Sequence, residues 1–482
     1  MRPAAWGRLP AALLAALLFA CSLLASAGPV VNDITRLNPI AVERIVAPRH
    51  VDEIVAAVRA HPGPVSVGGG RYSMGGQTAT EGALHLDMRS FDQVVRFEPH
   101  ERAITVQAGI TWRKIQDRID PFGLSLQIMQ SYANFTVGGS LSVNAHGRYV
   151  GQGPLVASVR SLRMVLADGS LVDASPDANA ELFYGAIGGY GGLGVIVEAT
   201  LALTDNLRVE RSTQTMSLSA YRQFFFAKIA QDPHVIFHNA TLYPDGYDTV
   251  RAVSFTETDK AVTDARRLSP VDADYPLQQR LTWVTSELPG GKRLRQHVID
   301  PLLYASHLVE WRNLEASFDV KSLEPASRDS STYVLQEYFV PVARLEEFAG
   351  HLRTVLNRHQ VNALNVSIRH AKRDPGTLLA WAREDVFAFV LYYKQGTDPK
   401  AREQVGVWTR ELIDAATALG GAWYLPYQIH ATPAQFRAAY PGADRYFALK
   451  ARVDPSNKFR NKLWDAYYSP PVSASGLNAA RP

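Results

Sequence analysis

Hydrophobic spacing divides the chain into two regions of different rhythm. From His50 onward, Val51, Ile54, Val55 and Val58 fall at i, i+3, i+4 and i+7, which predicts an amphipathic helix halted by Pro62-Gly63-Pro64. Apolar, β-rich runs at 42–46, 65–67, 83–87, 94–97 and 103–108 predict short strands. Thr111 can cap a helix that keeps Trp112, Ile115 and Ile119 on one face. Residues 161–174 hold two β-type runs around Ala167-Asp168-Gly169-Ser170, a hairpin pattern. A predicted helix over 179–187 then leads through a glycine-rich stretch into an alternating strand over 195–203.

After about Asn206 the glycines thin out. Strands are predicted over 332–340, 363–369 and 386–393, and helices over 343–359 and 399–418. That order reads as a second, α+β domain with an antiparallel sheet. Residues 256–317 carry no clear period, and no element is assigned there.

Composition sets the class. The chain has 482 residues, 46% hydrophobic and 20% charged, which suits two or three globular domains. Net charge is +4, and no basic run with interleaved aromatics suggests a nucleic-acid partner. Arg2 and Arg8 flank a short n-region before an apolar stretch over 11–24. That stretch is shorter than the roughly 20 residues a bilayer span needs. Ala25-Ser26-Ala27 is a small-x-small cleavage pattern, so residues 1–27 are expected to be a signal peptide and the protein exported, periplasmic or secreted. The only cysteine, Cys21, lies inside this segment. It is either removed or, since Leu18-Phe19-Ala20-Cys21 resembles a lipobox, lipidated and membrane-associated. The remaining chain has no disulfide and no thiol catalyst.

Two stretches carry candidate chemistry. In Val65-Ser66-Val67-Gly68-Gly69-Gly70-Arg71-Tyr72-Ser73-Met74-Gly75-Gly76-Gln77 a strand opens into glycines, so successive backbone N–H groups can line an anion-binding concavity. In residues 131–147, Gly138-Gly139 is followed by Ser140, Ser142, Asn144 and His146-Gly147, again suiting close backbone approach. Gly189-x-Gly191-x-x-Gly194 matches the dinucleotide fingerprint, but a helix precedes it and a strand follows. The fingerprint needs the opposite order, so a Rossmann site is rejected. No GxSxG or Walker A pattern is present, and no metal-ligand spacing, so no metal is expected.

The glycine loop, the segment TVGGSLSVNAHG, the segment ELFYGAIGGYGGLGVIVEATLAL and the late DPSNKFRNKLW together resemble the FAD-linked oxidases of the vanillyl-alcohol oxidase/p-cresol methylhydroxylase (PCMH-type) family. The likeness is greatest to its aldonolactone and alditol oxidase branch, the D-arabinono-1,4-lactone oxidase type. The resemblance implies an α+β fold: a two-subdomain PCMH-type FAD-binding domain over 38–206 and an α+β cap domain with an antiparallel sheet over 207–430. A C-terminal segment over 431–482 would return to the FAD domain. It implies FAD contacts at Gly69, Gly70, Arg71, Tyr72, Ser73, Gly76, Gln77, Ser131, Thr136, Gly138, Gly139, Ser140, Asn144, His146, Gly147, Gly194 and Val195.

Four departures from the family bear on chemistry. Tyr72 stands where many relatives carry the histidine that bonds covalently to flavin, so FAD is expected to be non-covalent. Gln130 precedes Ser131 where relatives favour small residues for oxygen access, which tilts the expectation towards another electron acceptor. Arg369 resembles the substrate-binding arginine, but the glutamate two residues earlier is Ser367 here. Gln428 best matches a catalytic lysine of relatives, with His430 as the nearby titratable group and Glu337 as a further candidate. Expected catalytic residues are therefore His430, Gln428, Arg369 and Glu337. The implied activity is oxidation of a CH–OH group of a sugar, sugar lactone or polyol, with hydride passing to flavin. A periplasmic flavin-binding electron-transfer or binding subunit, or an oxidase of a lipid-linked or aromatic alcohol, stays open.

Overall fold

The computed structural model describes residues 28–470 except 245, 272 and 326; the expected signal segment and Cys21 lie outside the described residues. The first half begins with a small parallel sheet in the order Arg44–Val46, Leu84–Asp87, Val65–Gly68. The helix Val51–Ala60 starts at His50, as the apolar spacing predicts, and buries Ile54 and Val58 against this sheet. An antiparallel sheet follows, ordered Leu171–Ala174, Val159–Val165, Val195–Asp205, Ala103–Gln107, Val94–Glu98. The helix Trp112–Ile119 is capped by the Thr111 side chain, which accepts a hydrogen bond from the Lys114 N–H.

The second half is built on one eight-stranded sheet, every neighbouring pair of which is antiparallel. Its strands Ser331–Pro341, Asn362–Ala371 and Val386–Gly396 and its helices Leu345–Arg358 and Pro399–Ala418 fall where the hydrophobic pattern puts them. The strands Arg208–Ser217, Val235–Leu242 and Thr249–Glu257 were not legible in that pattern. Nor was the helix Pro276–Glu287, whose apolar side chains do not form a core-facing stripe. The helix Leu218–Phe224 packs on this sheet, placing the Tyr221 hydroxyl 3.0 Å from His238 Nε2 and Phe225 4.8 Å, ring to ring, from His370. Among the described residues no helix is long and apolar enough to cross a membrane.

The C-terminal residues close the first half. Phe459 pairs in parallel with Val65, with hydrogen bonds from Val65 N to Lys458 O (2.7 Å) and from Arg460 N to Val65 O (3.0 Å). Lys450 is fully buried, and its ammonium donates to Gly192 O (2.7 Å), Asp454 Oδ2 (2.8 Å) and Phe459 O (2.9 Å). All three ammonium protons are thus satisfied, and residues 192, 454 and 459 are pinned to one point.

Two outcomes follow from this packing. Lys450→Met leaves Asp454 buried without its cation and should lower unfolding free energy by about 3–5 kcal/mol, read from chemical denaturation. The second concerns His85, His238 and His370. Burial pulls their pKa values down from 6.5 to about 4, 3 and 4, so they stay neutral in the folded protein while the unfolded chain takes up protons. Stability should therefore fall as pH drops from about 6.5 towards 4, by about 1.4 kcal/mol per pH unit for each ring. A denaturation midpoint flat across that window would show these rings to be protonated in the fold.

Candidate active site

The glycine loop leaves the strand Val65–Gly68 and forms one wall of a cleft holding about 1680 Å³ of empty space, its mouth included. A second wall comes from residues around the helix Val137–Ser142, and a third from Tyr190, Gly191 and Gly194. The floor is one face of the eight-stranded sheet, carrying Leu335, Glu337, Arg369, Val390 and Tyr392. These alternate along neighbouring strands, so their side chains share a face.

The walls meet at glycines because nothing larger fits. A Cβ on Gly69 would lie 2.2 Å from Thr136 Oγ1, the atom that accepts from Gly70 N at 3.3 Å. A Cβ on Gly138 would lie 2.8 Å from the Ala108 side chain. Arg71 holds a left-handed backbone at φ 62°, uncommon for a residue with a side chain. Its guanidinium is anchored to Asp87 Oδ2 at 3.0 Å and lies 3.3 Å from His85 Nε2. Neutral His85 accepts there, so its proton sits on Nδ1 and points to Ser66 Oγ at 3.0 Å. Gln77 ties the loop to the far side of the cleft, donating to Leu425 O and Tyr427 O, both at 2.7 Å.

Thirteen of the seventeen expected cofactor contacts line this cleft: Gly69, Gly70, Arg71, Tyr72, Ser73, Gln77, Ser131, Thr136, Gly138, Gly139, Ser140, His146 and Gly194. Gly76, Asn144, Gly147 and Val195 stand behind the lining. The Asn144 side chain binds Asp374 Oδ2 (2.8 Å) and the Val156 N–H (3.1 Å), and Val195 is packed in the core. Ser140 lines the cleft, but its hydroxyl is engaged by Trp112 Nε1 and Thr136 O.

The expected catalytic set divides. Glu337 and Arg369 face the cleft. Gln428 does not: its amide donates to Gln395 Oε1 (2.8 Å) and Tyr393 OH (3.3 Å), beyond the lining. His430 also lies off the cleft, its ring against Gly406 of the helix Pro399–Ala418. Burial, with Arg410 and Arg402 nearby, pulls its pKa down to about 4. The cleft residues of that stretch are instead Tyr424, Pro426 and Tyr427, which sequence reasoning passed over. An aromatic pair flanking Leu425-Pro426 was the available signal.

The structure also joins two residues that sequence kept apart. His146 Nε2 lies 2.6 Å from Glu337 Oε1, and both side chains are buried. His146 Nδ1 faces Gly147 O at 3.2 Å. The Nε2 contact ties the imidazole of one half of the molecule to the carboxylate-bearing strand of the other. Glu337 Oε2 has only a long contact with the Tyr427 hydroxyl, at 3.4 Å. The Arg369 guanidinium makes no hydrogen bond to a protein group among the described residues. Burial lowers its pKa, and the charge of Glu337 opposes that. Register adds a detail: Glu337 and Ser367 both sit opposite Val390, one on each side of the central strand. Glu337 thus lies about 10 Å, two strand spacings, from Ser367.

The residues fit a bound cofactor. Buried polar atoms without a protein partner, Arg71 Nε, Gln130 Oε1, Ser131 Oγ, Arg369 Nε and Tyr424 OH, belong to residues lining this one cleft. Such atoms are destabilising unless a ligand or water engages them. Tyr72 stands at the loop's centre with its hydroxyl 2.6 Å from Asn134 Nδ2 and its ring edge-on to Phe135 at 4.3 Å. Burial pushes its pKa up to about 12, so it stays protonated.

Comparison with known proteins agrees with this geometry. Residues 42–175 match the FAD binding domain family. The chain is 22% identical over 429 residues to L-gulonolactone oxidase of Bos taurus, covering 85% of this chain and 91% of that one. It is 29% identical over 318 residues to mitochondrial L-galactono-1,4-lactone dehydrogenase of Arabidopsis thaliana, covering 66% and 46%. It is also 29% identical over 464 residues to cytokinin dehydrogenase 3 of Oryza sativa subsp. japonica, covering 87% and 85%. The chain thus carries an FAD-binding domain of the PCMH type.

The cradle makes a direct test. Gly69→Ala and Gly138→Ala each place a methyl group inside contact distance of a cleft wall. Each should weaken flavin retention at least about tenfold, read from the absorbance of bound flavin, with the second domain folded.

Proposed function

We propose that this PCMH-type flavoprotein is an FAD-dependent oxidoreductase acting on a CH–OH group of a sugar lactone or related sugar or polyol. The observation that carries this reading is the buried His146–Glu337 pair beside Arg369, on the sheet floor facing the two glycine-rich walls. Gly69 to Ser73, Ser131, Thr136, Gly138, Gly139 and Gly194 would hold the cofactor. Flavin, when bound, supplies the two-electron acceptor for the substrate C–H.

The chain's own residues then have three tasks. Arg369 orients the substrate through its hydroxyl or carbonyl oxygens, with no competing protein acceptor. Glu337 takes the hydroxyl proton on Oε2 while His146 holds Oε1. This division explains how a site without the glutamate expected at 367 keeps a carboxylate near Arg369: Glu337 supplies it from across the central strand. The Tyr424 and Tyr427 hydroxyls, whose pKa values burial raises, remain protonated donors in the cleft.

The reading extends to three further points. FAD is held without a covalent bond, because Tyr72 offers no ring nitrogen at the loop. The acceptor is something other than oxygen, which the Gln130 side chain at the cleft supports. The protein is exported, supported by the pattern of residues 1–27. A second substrate reading rests on an apolar wall that Val320 and Leu323 form with Leu335, Val390 and Tyr392 of the floor. That wall suits an alcohol with an apolar arm.

The test is anaerobic mixing with aldonolactones, polyols, and aromatic or long-chain alcohols. Bleaching of flavin absorbance by lactones or polyols supports the first reading. Bleaching by apolar alcohols alone supports the second, and no bleaching by either removes both. Glu337→Gln should lower the rate of flavin reduction by about 10²–10⁴-fold while flavin content is kept. Acid precipitation should release the yellow colour to the supernatant; colour retained in the pellet would show a covalent bond.

A further inference from the structure

The strands Val235–Leu242 and Asn362–Ala371 pair along only part of their length. Ala240, Thr241 and Leu242 lie opposite Ile368, Ser367 and Val366, and the pairing ends one residue short of Arg369. Beyond that point the chain that follows His146 takes over the freed edge. His238 N donates to Arg148 O (2.8 Å) and Val150 N to Ile236 O (3.1 Å). On the other strand, Lys372 N donates to Gln152 O (3.0 Å). Residues 148–152 are therefore a wedge in a fork, with Asn239 on one prong and Arg369 on the other.

Arg148 fills the acceptors on its side of the wedge. Its Nη2 donates to Glu315 Oε1 (2.6 Å) and its Nη1 to Asn239 Oδ1 (3.4 Å). Asn239 stands two residues before Thr241, the partner of Ser367, so its side chain shares the face that carries Ser367 and Arg369. Burial and the charge of Glu315 push the pKa of buried Glu310 up, which favours its neutral form and leaves Glu315 as the anion for Arg148. Burial also raises the pKa of Tyr132, a cleft residue that feels the charges of Arg369, Arg148 and Glu315, so these three groups surround one ring.

A buried guanidinium ordinarily finds acceptors within the protein. That of Arg369 finds none, and its Nε is buried without a partner. Burial lowers its pKa, Glu337 opposes that, and Arg148 adds to it. Arg148 thus acts on Arg369 twice: it occupies the acceptors of the neighbouring strand, and its charge repels a second cation from them. We propose that Arg148 is a positioning residue, which by holding Asn239 and Glu315 keeps the Arg369 guanidinium turned into the cleft and free for the oxygens of the substrate. This rests on the reading of Arg369 as the group that orients the substrate.

The first readout needs no substrate. In a crystal structure of Arg148→Met, Arg369 should have turned onto Asn239 or Glu315; a guanidinium still facing the cleft overturns the proposal. The second readout is anaerobic flavin reduction by the aldonolactone or polyol that bleaches it. Arg148→Met should raise the half-saturating concentration at least about tenfold, with a smaller effect on the saturating rate. Arg148→Lys, which keeps a cation beside Glu315, should recover most of that loss. In an Arg369→Ala background the effect of Arg148→Met should vanish, because one residue acts through the other. An equal rise in both backgrounds, or no rise in either, overturns the proposal. No bleaching by any lactone or polyol removes the functional reading alone and leaves the crystal structure to decide the position of Arg369. Should Arg148→Met melt early, Asn239→Asp takes its place: it keeps the wedge and offers one more anionic oxygen, which should draw Arg369 out of the cleft. An Arg369 that stays put in that variant also overturns the proposal.

Discussion

The contact between Gly69 and Thr136 sets the geometry on which the site depends. Two residues 67 positions apart are brought so close that the Thr136 hydroxyl occupies the place of a Cβ on Gly69. Backbone amides from both segments can then face one space, which side chains on either would fill. The left-handed Arg71 beside them is held by Asp87 and a neutral His85. A strained residue fastened by a buried network suggests that the guanidinium's position matters more than the local backbone preference.

The sheet floor shows how chemistry moves without the fold moving. Val390 stands between Ser367 and Glu337 in register. A carboxylate on either outer strand reaches the same face, because alternate residues of adjacent antiparallel strands point the same way. The floor therefore tolerates relocation of its acid across a strand. Glu337 is joined to His146, a residue of the glycine-rich half, so this buried pair links the two halves of the molecule.

How much of this was legible depended on range. Strand Val65–Gly68, helix Val51–Ala60 and the helix Pro399–Ala418 were readable because period, stop signals and caps are local properties. The reversed order around Gly189–Gly194 was readable for the same reason. The antiparallel strands between 208 and 257 were missed because their burial is set by neighbours distant in sequence, not by clean alternation. The His146–Glu337 pair spans 191 residues, and nothing near either residue announces the other. Gln428 and His430 fall off the cleft although they adjoin Tyr427, because the Gln428 amide is drawn to Gln395 and Tyr393, so adjacency to a cleft residue did not mean facing the cleft.

The Val65–Phe459 pairing also governs the order in which the molecule can be made. The strand that begins the glycine loop and its parallel neighbour Leu84–Asp87 emerge early in synthesis, yet the residue that pairs on its other side lies almost 400 residues later. Lys450, which fastens the glycine-rich turn at Gly192, arrives equally late. Contacts of such separation close slowly, since the intervening chain must be ordered first. The cofactor-binding half thus spends most of translation unfinished, and the second half folds before the first is sealed. A nascent chain halted short of residue 460 would expose the edge of the strand Val65–Gly68, a site for mispairing or chaperone capture.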